Sequence, residues 1–305
     1  MKGCDIVSAT MGRLWDFVQR RNIRLDKLKF LVLDEADRML AAKGFEEDIT
    51  RLMSHENMPP SSDRVTMLFS ATLPPAVQQL AKDFLAQDYL FVKVGLLGGA
   101  NADVTQEFMQ VQYGNKMDTL LELLEKDKKN AKDSDGKFVN KVLVFVEQKR
   151  MADTVASYIA QSDFPAITIH GDRLQEQREL ALRQFYDGVV AVLVATAVAS
   201  RGLDIKNVDH VINYDLPDEV EEYVHRIGRT GRIGNPGRAT AFYEPQRDRQ
   251  IAADLVKVLK DAHQLVPEFL EEAAANADWT SSGGLDNNGG NRSMGGFSNV
   301  AGSWD

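Results

Sequence analysis

Apolar residues along the chain gather into short β-branched runs, separated by stretches with helical spacing. CDIVSA (4–9) precedes the amphipathic GRLWDFVQRR, KFLVLD (29–34) precedes a helical stretch through Met53, VTMLFS (65–70) precedes PPAVQQLAKDFL, and YLFVKV (89–94) follows. A second series reads as strands at KVLVFV (141–146), AITIH (166–170), VAVLVAT (190–196), HVINYD (210–215) and ATAFY (239–243), most of them separated by helical patterns. Strands that are apolar throughout are buried on both faces, as in parallel sheets covered by helices. The pattern predicts an α/β chain with two parallel-sheet domains.

The breaks in the pattern set the boundaries. GLLGGANADVTQ (95–106) is rich in Gly and small residues and reads as a linker. It separates a first domain at 1–94, short of strands, from a second at 107–274. Residues 252–274 read as a closing helix broken near Pro267. The tail at 275–305 is rich in Gly, Asn and Ser, cannot bury enough to offset its ordering entropy, and is expected to be disordered. Trp304 near its end is either a small docking element or simply the end of the chain.

Composition narrows the class. The 305 residues carry a net charge of −9 and a single cysteine, Cys4. A disulfide within the chain is impossible, which fits a reducing intracellular compartment. No run of eighteen apolar residues exists, so no membrane span is expected. The acidic balance argues against a nucleic-acid partner, but a groove can be basic within an acidic surface, so it decides little.

The candidate chemistry falls where open α/β sheets bind ligands, beyond the carboxyl ends of strands. Asp34 and Glu35 end the 29–34 strand. They suit Mg²⁺ beside a nucleotide phosphate and a base for an attacking water, or they open a helix and favour its dipole. Ser70 and Thr72 end the next strand, where Thr72 reads first as a helix cap ahead of Pro74 and Pro75. In HRIGRTGR (225–232), Arg226, Arg229 and Arg232 recur every three residues with Gly228 and Gly231 between. Glycines permit close approach of the backbone, and arginines so spaced can converge on phosphate. Thr196 and the turn after it suit a phosphate, and Asp204 a sugar hydroxyl; a plain turn is the alternative. Gln175 and Arg178 sit near another strand end, as ligands or as a solvated helix start.

DEAD (34–37), SAT (70–72), the Gln175–Arg178 pair, ATxxxxRGLD (195–204) and HRIGRTGR occur in one order. The set resembles the DEAD-box RNA helicases of superfamily 2, over residues 1 to about 270, and within them the Vasa-like group. The resemblance implies two RecA-like domains, the first truncated, closing over ATP, Mg²⁺ and single-stranded RNA. Asp34 would hold Mg²⁺ through water and Glu35 would be the general base. Asp37, Ser70, Thr72 and His225 would couple hydrolysis to closure. Arg229 and Arg232 would be arginine fingers, a device contributing roughly 10³–10⁵ in rate. Gly202, Asp204 and Arg226 would line the nucleotide. Thr10, Gly12, Arg13, Gln148, Gln175, Arg178 and Thr196 would hold the RNA backbone, whose contacts carry little sequence information. Protein partners would dock through the second domain and the tail, and residence would be cytoplasmic, in germ granules for a Vasa-like chain.

Two departures stand out. Met11 replaces the proline usual in the family's Thr-Pro-Gly-Arg, and Gln148 stands where relatives often carry Thr. The 305 residues also lack G-x-x-x-x-G-K-[ST], since the only Gly-Lys, Gly136-Lys137, is followed by Phe138. The chain is therefore expected to be a fragment of a longer helicase and incomplete as a catalyst. The alternative is a non-catalytic RNA- or partner-binding module.

Overall fold

The computed structural model describes residues 4–40, 44–93, 100–101, 103–130, 140–197, 205, 208–231 and 236–282. Two separate parallel sheets form. In the first, β1 (Phe30–Leu33) pairs with β2 (Val65–Leu68), with Phe30 opposite Val65 and Leu33 opposite Leu68. Helices α1 (Met11–Gln19), α2 (Ala36–Leu40), α3 (Phe45–Met53) and α4 (Pro75–Phe84) accompany it. Val18, Leu33, Ile49, Leu52, Val77 and Leu80 make its core.

The second sheet has six parallel strands in the order β3-β8-β7-β4-β6-β5. These are β3 (Val104–Gln110), β4 (Val142–Val146), β5 (Ala166–Ile169), β6 (Val192–Thr196), β7 (His210–Asn213) and β8 (Gly237–Tyr243). Every residue of β4, β6 and β7 is buried, as the apolar runs of β4 and β6 predict, and β7 buries the polar His210 and Asn213 as well. Successive residues serve opposite cores: Leu143, Phe145, Leu193 and Val211 pack on one face, Val142, Val144, Val192 and Ile212 on the other. The helices of this domain are α5 (Lys116–Asn130), α6 (Lys149–Gln161), α7 (Gln175–Tyr186), α8 (Val220–Ile227), α9 (Ala252–Asp261) and α10 (Glu268–Ser282).

Three expectations change. CDIVSA and the described part of YLFVKV, Tyr89–Lys93, are not strands: Ile6, Leu90 and Val92 are exposed, and no neighbouring strand among the described residues takes up their backbone; Val94 lies outside the described residues. The expected linker ends early, because Val104, Thr105 and Gln106 already belong to β3. That strand lies at the sheet edge and alternates buried with exposed residues, so its sequence lacks the apolar run that marks the others. The break expected near Pro267 is present, with α9 ending at Asp261 and α10 beginning at Glu268. Residues 275–282 of the expected tail are helical, and its remainder, Trp304 included, lies outside the described residues.

Candidate functional site

Where β1 ends, the chain makes an unusual turn. Asp34 and Glu35 are exposed, while Ala36, the first residue of α2, is fully buried. Glu35 has φ of 54°, in the left-handed region that side-chain-bearing residues avoid. Its N–H donates to Asp34 Oδ1 at 3.0 Å. The ladder still continues around it, with Phe69 N–H on Leu33 O at 2.8 Å and Ala36 N–H on Phe69 O at 3.0 Å. The turn therefore presents both carboxylates beyond the strand end without releasing the sheet. Acid opening a helix is a weaker account of them, since α2 has five residues and the acid of its first turn is Asp37.

Asp37 points elsewhere. Its Oδ2 accepts the Thr72 N–H at 2.9 Å and the Thr72 hydroxyl at 2.8 Å. Ser70 Oγ donates to Thr72 O at 2.6 Å. Thr72 is therefore not the cap of α4, whose N-cap position is Pro74. Burial works to raise the Asp37 pKa, but the Thr72 hydroxyl and N–H, the nearby His225 and the Arg38 N–H outweigh it and hold the carboxyl below its ordinary value.

The second domain reaches this cluster through α8. His225 Nε2 lies 3.6 Å from Asp37 Oδ2, and Arg38 Nε donates to His225 Nδ1 at 2.7 Å. Arg38 also lies 3.6 Å from Glu222 and 3.5 Å from Glu35. Burial, and then the Arg38 charge, push the His225 pKa below the usual imidazole value against the pull of Asp37, Glu222 and Glu35, so the ring is neutral at neutral pH. Asp37, Ser70, Thr72 and His225, separated in sequence, thus form one connected group. Arg38 and Glu222 belong to it too and escaped the sequence reading. The local signals were there: Arg38 is three residues after Glu35 and Glu222 three before His225, the spacing at which helical side chains meet.

The three arginines of HRIGRTGR part company. Arg226 is 4% exposed. It donates to Asp215 O at 2.7 Å and Asn213 Oδ1 at 3.4 Å, and its guanidinium lies 5.1 Å from the centre of the Phe145 ring. It is therefore committed to its own domain, and this departs from the expectation that it faces a nucleotide. Arg229 is half-buried just beyond the α8 C-terminus, and Arg232, with Gly202 and Asp204, lies outside the described residues. The glycines behave as their sequence spacing suggests. Gly231 has φ of 67° and packs where a methyl group would collide with the Val104 side chain. The Asn101 side chain donates to Gly231 O, so this turn is fastened to the start of β3.

Of the remaining candidates, Thr10, Gly12, Arg13, Gln148 and Gln175 are exposed, Arg178 is half-buried and Thr196 is buried. Thr10 is the N-cap residue of α1, with its hydroxyl unused in capping. Gly12 faces open space and Arg13 lies 3.5 Å from Asp16. Gln148 is the N-cap of α6, just beyond β4, and Arg178 donates to Gln175 Oε1 at 3.2 Å at the start of α7. Thr196 is buried at the end of β6, directly opposite Val146 of β4. Because all six strands are parallel, Gln148, Gln175 and Thr196 share the carboxyl edge of the sheet.

Comparison with known proteins supplies the class. A family model described as DEAD/DEAH box helicase matches residues 1–80, and one described as helicase conserved C-terminal domain matches residues 115–234. The chain belongs to the DEAD-box helicase family. Its relatives include the ATP-dependent RNA helicase vasa of Drosophila melanogaster, 50% identical over 303 residues, 98% of this chain and 44% of that protein. The probable ATP-dependent RNA helicase vasa-like of Penaeus vannamei is 50% identical over 272 residues, covering 89% and 38%. Dbp5 of S. cerevisiae, solved bound to RNA and ADP BeF3, matches with a TM-score of 0.68 at 28% identity, over 88% of this chain and 67% of that one. The chain spans less than half the length of these two curated relatives.

Proposed function

We propose that the protein is an ATP-dependent RNA helicase that couples ATP binding and hydrolysis to local duplex unwinding or RNA–protein remodelling. The observation that carries this reading is the polar link from His225 through Asp37 to Thr72 and Ser70. It joins the second domain to the turn that displays Asp34 and Glu35. Closure and hydrolysis would share these residues, which a merely RNA-binding module would not need.

In this reading Glu35 takes the proton of the attacking water, from a carboxylate already held outside the strand end. Asp34 fits a hard divalent cation as a single exposed carboxylate. No group of three or more His, Cys, Asp or Glu gathers to hold a metal among the described residues. Mg²⁺ would thus complete its shell with water and phosphate oxygens, its usual habit, and would neutralise phosphate charge there. Arg229 and Arg232 stabilise the charge developing on the transferred phosphate. Asp204 and Gly202 contact the nucleotide. Thr10, Gly12, Arg13, Gln148, Gln175, Arg178 and Thr196 hold RNA sugar and phosphate, so sequence preference arises elsewhere. No described helix is long and apolar enough to cross a membrane; cytoplasmic germ-granule residence, carried by the vasa likeness, is part of the proposal.

The test is Glu35→Gln in the full-length protein. ATP hydrolysis is expected to fall at least about a hundredfold while nucleotide binding persists. Wild-type turnover in that variant would remove Glu35 from the mechanism. Equal stimulation by RNA and DNA of one length would replace the RNA substrate with nucleic acid in general.

A further inference from the structure

Arg38 occupies an unusual position. Its side chain is 11% exposed and belongs to the first domain, yet it touches two residues of α8, Glu222 at 3.6 Å and His225 at 2.7 Å. On its other side it meets Glu35 at 3.5 Å. Glu222 in turn lies 3.6 Å from Arg226 Nε. Carboxylates and guanidinium groups thus alternate from the exposed turn of domain one to the buried arginine of domain two.

The contact to His225 has a chemical consequence. A guanidinium N–H can only donate, so Nδ1 of His225 must offer a lone pair. The ring proton of the neutral imidazole then sits on Nε2, the nitrogen facing Asp37 Oδ2. Arg38 therefore arranges His225 as a donor toward the carboxylate that also holds Thr72.

We propose that Arg38 is a positioning residue that registers the docking of α8 and transmits it to Glu35, by gripping Glu222 and His225 with one edge of its guanidinium while its other nitrogen steadies the general base. When α8 is away, Arg38 loses two of its three partners and Glu35 loses its anchored neighbour. A planar fork is needed for this. Lysine, a single point charge, cannot donate to Nδ1 and meet both carboxylates from fixed directions. The kinetic part of the inference rests on the helicase reading; the docking part rests only on the contacts of the 305-residue chain.

Two measurements test it. In the 305-residue chain, spin labels on exposed sites of each domain report the interdomain distance. Arg38→Glu and Glu222→Arg are each expected to broaden that distance, and the two together to restore it. An unchanged distance in both single variants, or no recovery in the double variant, overturns the docking role. In the full-length protein, Arg38→Gln and Arg38→Lys are expected to lower RNA-stimulated kcat roughly tenfold with KM for ATP unchanged, a typical coupling magnitude. An unchanged kcat, or a loss confined to KM, overturns the link to Glu35. Absence of ATPase activity in the wild-type protein would sink the helicase reading instead, and the spin-label distances would still decide the docking role.

Discussion

The carboxylate of Glu35 is aimed by a backbone angle that ordinary residues avoid, and a left-handed non-glycine residue stores about 1–3 kcal/mol. The sheet bonds on either side of it, Leu33 to Phe69 and Phe69 to Ala36, hold the turn in place. Glu35→Gly should relieve this strain. It is expected to stabilise the first domain by about 1 kcal/mol in denaturant titration while abolishing hydrolysis. Loss of stability instead would show that the Glu35–Arg38 contact outweighs the backbone. Identity and conformation are separate facts here. DEAD could be read as acidic from the chain alone, but nothing in those letters reveals that Asp34 and Glu35 face out while Asp37 turns in to Thr72.

At the scale of elements, two joints of the second domain show charge managed differently. Lys116, at the start of α5, is fully buried between Asp215 at 2.9 Å and Glu244 at 3.3 Å. A short turn, Asp248–Ile251, carries β8 into α9. Burial pushes the Asp248 carboxyl up to about 6, against the Glu244 N–H, Arg247 and Lys116. A raised folded-state value means that the folded protein keeps a proton the unfolded chain releases. This contribution to stability is full below the ordinary value near 3.8 and is lost as pH rises through about 6. Asp248→Asn, which keeps an acceptor for the Glu244 N–H, is expected to flatten the decline in melting temperature between about pH 4 and pH 6 and to raise Tm by a few degrees at neutral pH. An identical pH profile in the variant would rule this out. At the end of α8, the glycines of HRIGRTGR were legible as places of close approach, but not what they approach. Gly231 meets Val104, far earlier in the chain.

Across the whole molecule the two sheets are unequal. Every residue of β4, β6 and β7 is buried, whereas the two-stranded sheet exposes Phe30, Val32 and Val65. Two strands alone are marginal in water. In hydrogen exchange on the 305-residue chain, amides of β1 and β2 are expected to exchange at least about a hundredfold faster than those of β4 and β6. Equal protection would mean that the domains unfold as one unit. The sequence by itself determined the parallel α/β class, the central strands of the second domain and the order of the motifs, because period and apolar runs are written locally along the chain. It missed β3, whose edge position makes it half polar, and it credited strands to CDIVSA and YLFVKV, whose apolar composition finds no partner strand among the described residues. The tertiary structure alone shows that Arg226 is committed to Asp215 and Phe145 and that Arg38 meets His225 across 187 residues, and of the two readings of Thr72 it bears out the link to Asp37 over the helix cap. Such pairings depend on how two separately folded domains dock, and no pattern within one segment encodes the face that another segment will present to it.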